Sequence, residues 1–170
     1  AIFNPTDLDC DEWVSAVKEA GMKENGFEHY EISNAAREGF RSRHNSVYWN
    51  GGDYLGIGPG AHSLVDGKRF FVKDGAEEFI FAENPLERLS EFEVLTKEDR
   101  FTEYLMLSLR TKEGVSVERL KDLSDGETAK RICEKFRLWE RYGLCEKTLQ
   151  GFALTASGFF VSNEIITELM

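Results

Sequence analysis

The chain has 170 residues, 41% of them hydrophobic and 31% charged, a globular balance that excludes a disordered tail. Its 31 acidic residues outweigh 21 basic ones to give a net charge of −10, which repels phosphate backbones and argues against generic nucleic-acid binding. No apolar run reaches the roughly 20 residues that a membrane-spanning helix needs, and no basic-then-apolar leader opens the sequence, so a cytoplasmic protein is expected.

Cys10, Cys133 and Cys145 lie far apart, without CxxC spacing, and are expected to be free thiols in a reducing compartment. They cannot ligate an iron–sulfur cluster on their own. The opening residues, Ala1 to Pro5, suggest a piece of something longer.

In chain order, Trp13, Val14, Ala16, Val17 and Ala20 form an apolar stripe that predicts a helix ended by Gly21. Residues 27–33 alternate and carry aromatic and β-branched side chains, which predicts a strand, and with the helix an αβ unit. Residues 34–53 show no period and are expected to be a long functional loop. A second strand over 54–65 is interrupted by Gly56, Gly58 and Gly60. The Asp66-Gly67 pair is a hairpin signal, with a return strand over 69–73.

A short helix is expected over 76–82, before Pro85. Thr96 precedes a helix over 97–110 that places Phe101, Tyr104, Leu105 and Leu109 on one face. Another is expected over 115–123. Ser124 to Glu127 has capping-box spacing for a third, striped by Ile132, Phe136 and Trp139 and closed by Gly143. Residues 144–149 and 152–155 read as a two-stranded ribbon, and Thr155 caps a last helix through Ile166. Three helices and a ribbon make the pattern of a winged helix, so the fold class is α+β. Two parts are expected, residues 1–75 and 76–170.

Four constellations carry candidate chemistry. Arg43 to Asn50 packs a histidine, an amide, a phenol and an indole into one stretch, so His44 is a candidate haem-iron ligand. Tyr48 and Trp49 offer flat surfaces for a porphyrin. The plainer reading makes the two aromatics a core plug and leaves His44 on a backbone carbonyl. Gly56 to Ser63 alternates glycines as GxGxG, which lets backbone approach a ligand or bends a strand; it is not the dinucleotide fingerprint. His62 has the same two readings as His44. Glu31, at a strand end, faces a ligand or solvent. Lys130, Arg131, Lys135, Arg137 and Arg141 give one helix a basic face, but Glu127, Glu134 and Glu140 interleave with them, so a solvated mixed face is the expectation.

Tyr30 to Ala36, then Arg43-His44-Asn45 with Tyr48-Trp49, then Tyr54 to Ser63 resemble the oxygen-independent coproporphyrinogen III oxidase family of radical SAM proteins. The HNxxYW stretch resembles its haem-chaperone branch. Met106 to Arg110 with Gly114-Val115, and Leu154-Thr155 with Gly158, are similar to the family's C-terminal helical domain. The resemblance implies a parent with a partial (βα)6 barrel, whose CxxxCxxC motif holds a [4Fe-4S] cluster with S-adenosylmethionine on its open iron. This chain has no such motif, so it corresponds to the C-terminal part of such a parent: the barrel's end and a winged-helix-like cover.

By the same resemblance, Gly58, Gly60, Ala61 and His62 contribute to the S-adenosylmethionine pocket. His44 contacts haem iron, with Tyr48 and Trp49 beside it. The implied partners are haem or porphyrin, the N-terminal part of the same barrel, and haem-acceptor proteins, with no nucleic acid. The chaperone branch binds and transfers haem. The alternative is the oxidase branch, which decarboxylates two propionates, and a further rival is a winged-helix nucleic-acid binder.

Overall fold

Four side-chain oxygens punctuate the C-terminal half, and each begins a helix by accepting an otherwise unpaired backbone N–H. The computed structural model, which describes residues 21–73, 75–83 and 92–170, places Thr96, Ser116, Asp125 and Thr155 at these caps. The helix expected over 8–20 lies outside the described residues, as do Cys10 and Pro85.

Residues 21–24 are helical, so the helix end expected at Gly21 is not observed there. The chain turns at Asn25 and Gly26, where the Gly26 N–H donates to the Lys23 carbonyl at 3.0 Å. Strand β1 (Phe27–Glu31) then stops two residues short of expectation. Ile32 and Ser33 form a turn, and β2 (Asn34–Arg37) pairs back antiparallel on β1. The long loop expected over 34–53 is therefore wrong. It contains β2 and a helix, α1 (Arg43–Trp49), begun by Ser42, whose Oγ accepts the Asn45 N–H at 3.2 Å.

The expected strand over 54–65 is also broken. Tyr54 makes a single bridge to Leu64, the chain reverses, and only His62–Val65 forms a strand, β3. Asp66 and Gly67, with φ of 49° and 69°, make the expected hairpin turn. Strands β4 (Lys68–Phe71) and β5 (Glu93–Val94) complete a sheet in the order β3-β4-β5, with the short helix α2 (Ala76–Ile80) between them in sequence.

Helix α3 (Lys97–Ser108) carries a full capping box between Thr96 and Asp99. The expected helix over 115–123 begins instead as a strand, β6 (Val115–Ser116), before α4 (Val117–Leu123). Asp125, not Ser124, caps α5 (Gly126–Arg141), accepting the N–H groups of Glu127 and Thr128. The Ser124 hydroxyl is spent on the Leu120 carbonyl at 2.6 Å. The ribbon is as expected, β7 (Cys145–Lys147) with β8 (Gly151–Leu154), and the sheet order is β6-β8-β7. The last helix is split at Val161 into α6 (Ala156–Phe160) and α7 (Ser162–Leu169).

The main core lies between α3, α4, α5, α7 and this second ribbon, around Leu105, Leu109, Leu120, Ile132 and Phe136. Strand β1 docks against it edge-on. The Ile32 N–H donates to the Arg110 carbonyl at 2.9 Å, and the Lys112 N–H to the Tyr30 carbonyl at 3.0 Å. Among the described residues no helix is long and apolar enough to cross a membrane.

Charge reinforces that joint. Arg41 pairs with Glu28 at 2.7 Å and Glu113 at 2.5 Å, Lys112 reaches Glu28 at 3.1 Å, and the Arg41 guanidinium lies 5.3 Å from the Tyr30 ring centre. The Arg41 guanidinium holds the Glu28 carboxyl down to about 2, with Lys112 adding to the effect. A depressed carboxylate stabilises the fold above its ordinary value of 4.5, and that contribution is lost as pH falls through about 2. The urea midpoint of the parent chain should therefore exceed that of Glu28→Gln at pH 7, and the gap should narrow steadily below about pH 4.5. A gap that stays constant down to pH 2.5 would refute this ion pair's role.

Candidate functional site

Helix α1 carries the densest chemistry in the chain and has no buried residue. His44 and Tyr48, four positions apart, share one face. Their rings meet edge to face, with centres 4.9 Å apart and planes at 83°. Tyr48 in turn meets Tyr54 at 4.5 Å, so three rings follow one another from α1 to the start of the second sheet. Both His44 and Tyr48 are exposed.

Trp49 lies about 100° further round the helix than Tyr48. It lines a cavity of about 330 Å³ with Leu64, Leu95 and Tyr104. The structure thus brings His44 and Tyr48 together and sets Trp49 apart from them. Neither group is a core plug of the kind the residues alone permit. The Asn45 N–H and the Ser46 hydroxyl are both spent on Ser42, which fixes the first turn. An exposed imidazole with an aromatic edge beside it suits an axial ligand for a flat macrocycle, since one nitrogen stays free to coordinate.

The glycine segment is wired from the inside. The Gly56 N–H donates to Oγ of the fully buried Ser63 at 3.0 Å, Ala61 to the Gly58 carbonyl at 3.1 Å, and Gly60 to the Val72 carbonyl at 2.9 Å. A Cβ on Gly56 would lie 2.3 Å from the His62 carbonyl oxygen, so the chain passes close to the start of β3 there. Gly58 and Gly60 take φ of 101° and 72°, and open space lies where their Cβ atoms would project. Such a bare backbone surface, flanked by exposed Leu55 and Ile57, admits a flat ligand against the main chain. His62 is exposed and stacks on Phe71, with centres 5.2 Å apart and planes at 26°.

Glu31 takes neither sequence-based role. It is 1% exposed, and its carboxylate accepts the Ser33 N–H at 2.8 Å and the Asn34 side-chain amide. Cys145 is buried, its thiol donates to the Phe136 carbonyl at 2.9 Å, and burial pushes it up to about 11, so it stays protonated. Among the described residues no group of three or more His, Cys, Asp or Glu is placed to hold a metal ion.

Sequence reasoning did not single out Tyr54 or Phe71 as ring partners. Phe71 was within reach. A two-residue hairpin at Asp66-Gly67 pairs Val65 with Lys68, and counting back sets His62 opposite Phe71, as observed.

Residues 95–161 match the HemN C-terminal domain. The chain is 31% identical to the heme chaperone HemW of Lactococcus lactis, over 88% of this chain and 39% of that protein. It is 34% identical to the heme chaperone HemW of Synechocystis, over 87% of this chain and 40% of that protein. The chain thus spans about two-fifths of the length of the curated relatives it matches. In three dimensions it resembles the coproporphyrinogen III oxidase HemN from Escherichia coli, a radical SAM enzyme. The TM-score is 0.60 at 16% identity, covering 91% of this chain and 39% of that one, which is a likeness of fold.

Proposed function

We propose that this chain, which belongs to the HemN and HemW family of radical SAM proteins and matches its C-terminal portion, is the haem-contacting and covering part of a haem chaperone. In this reading residues 1–75 complete a partial (βα)6 barrel, and residues 76–170 form a winged-helix-like domain that closes over it. Haem is the cargo. His44 offers a ring nitrogen to the iron, and Tyr48 and Tyr54 extend the aromatic surface beside it. Trp49 is a positioning residue that seats the inner side of α1.

Gly58, Gly60, Ala61 and His62 form an edge of the S-adenosylmethionine pocket. The open space beside both glycines fits a flat adenosyl group against backbone. The [4Fe-4S] cluster belongs to a CxxxCxxC motif that is not in this sequence. When bound, cluster and S-adenosylmethionine supply one-electron chemistry. The chain's own part is to hold, orient and cover.

The observation that carries this reading is the exposed His44 imidazole, set edge-on to Tyr48 on a helix with no buried residue. Haem titration of the full-length protein tests it. His44→Ala should weaken haem binding by tenfold or more, about 1.4 kcal/mol, and reduce the Soret shift. Trp49→Ala should have the smaller effect, because its ring faces the cavity and not the His44 side. Unchanged haem affinity in His44→Ala would overturn the assignment.

A further inference from the structure

The cavity behind α1 is separate from the His44 face. It opens between the end of α1, the β3–β4 hairpin and helices α3 and α4. Its apolar wall is built by Trp49, Leu64, Leu95, Tyr104, Leu107 and Leu123. About 330 Å³ lies at the lower end of the range for small-molecule sites. That is room for a body of two or three aromatic rings or a medium-length aliphatic chain, and too little for a whole porphyrin.

The charges at the rim are unevenly satisfied. Glu103 is taken by Arg69, which also faces Glu93. The Asp53 carboxylate accepts the Asp66 N–H at 3.2 Å, and Asp66 itself lines the hairpin side of the rim. Arg100 and Arg119 also line the cavity, and among the described residues neither guanidinium has a carboxylate partner. Arg119 lies over the Tyr104 ring, 5.6 Å from its centre, which orients the guanidinium along the wall and leaves its fork of N–H donors uncommitted. In a chain with ten more acidic than basic residues, two arginines without a carboxylate partner among the described residues, at one cavity with an apolar wall and a polar rim, are conspicuous. The chemistry that satisfies both features is a single molecule with an apolar body and an anionic head.

We propose that this cavity binds an amphipathic organic acid, an aromatic or branched aliphatic body bearing a carboxylate, with Arg100 and Arg119 on the anionic group and Trp49 and Tyr104 against the body. None of His44, Tyr48 and Tyr54 lines this cavity, and nothing in it requires the cluster.

The test uses two fluorescent probes that share one aromatic body, 8-anilinonaphthalene-1-sulfonate, which is anionic, and N-phenyl-1-naphthylamine, which is neutral. Both are titrated into the full-length protein. The sulfonate should bind saturably, and 4-phenylbutyrate should displace it while 4-phenyl-1-butanol does not. Arg119→Gln and Arg100→Gln should each weaken it about tenfold, the usual scale for a lost charge-assisted contact. Arg119→Lys should recover part of the loss, and the neutral probe should respond to none of the changes. Both arginines are exposed, so an unchanged thermal midpoint will show that the variants fold. Sulfonate binding that is insensitive to both Gln variants, or neutral-probe binding equally tight and equally sensitive to them, would overturn the proposal.

Discussion

Phe136→Ala is expected to destabilise the chain by about 3–5 kcal/mol, the cost of emptying a fully buried aromatic site. Phe136 is 0% exposed. Its ring stacks on Phe152 of β8 at 5.1 Å and 12°, and meets Trp139 edge-on at 5.7 Å and 77°. It therefore joins α5 to the ribbon, and truncation removes wall contacts on both sides at once. The void cannot collapse cheaply, because Leu105 on α3 and Leu120 on α4, in the same cluster, are themselves fully enclosed. Leu138→Ala is the matched control on the same helix. Leu138 is 45% exposed, so the change should stay within about 0.5 kcal/mol. Urea unfolding of both variants gives the comparison. Equal losses would mean that α5 is not held by this packing.

Helix α5 was legible because it buries a stripe. Ala129, Ile132, Phe136 and Trp139 recur at helical spacing, and all four are buried. Helix α1 was illegible for the converse reason. It buries nothing fully, so Arg43 to Trp49 shows no apolar period, and the only local signal was Ser42 at the cap. The glycine segment was read as a strand over 54–65 interrupted by Gly56, Gly58 and Gly60, whereas only His62–Val65 forms a strand. Alternation locates a strand, but it does not report the left-handed backbone at Gly58 and Gly60 that turns the chain back on itself. Glu31 shows a similar limit. Its burial follows from a carboxylate satisfied by its own turn, which strand alternation does not reveal. The pairing of Arg100 on α3 with Arg119 on α4 at one cavity is purely tertiary, and no spacing rule would have found it. His44 and Tyr48 meet because they lie four residues apart on one helix, a relation that the loop expected over 34–53 did not contain.

Gly114→Ala should cost more than any glycine substitution in the exposed turns, about 4 kcal/mol or more. Two effects combine. Gly114 has φ of 70°, where an alanine is strained by about 1 kcal/mol. Its Cβ would also sit 2.1 Å from the Phe152 carbonyl oxygen and 2.6 Å from Ala153 Cα. Those are backbone atoms of β8, so the clash is relieved only by moving β6 away from β8, where Val115 pairs with Phe152. Gly58→Ala isolates the first effect, since its φ is 101° but a Cβ there meets nothing within 4 Å. It should lose about 1 kcal/mol. The consequence of Gly114→Ala should reach beyond the ribbon. Lys112 and Glu113, just before it, hold Glu28 and Arg41, and Arg41 immediately precedes the Ser42 cap of α1. A displaced β6 therefore loosens the seat of the His44 helix as well as the core. Haem titration of the full-length Gly114→Ala variant, below its unfolding midpoint, should show weakened binding, whereas Leu138→Ala, on the exposed side of α5, should bind haem normally. Equal stability losses for Gly114→Ala and Gly58→Ala would show that β6 and β8 separate without cost, and the coupling to α1 would then have no structural basis.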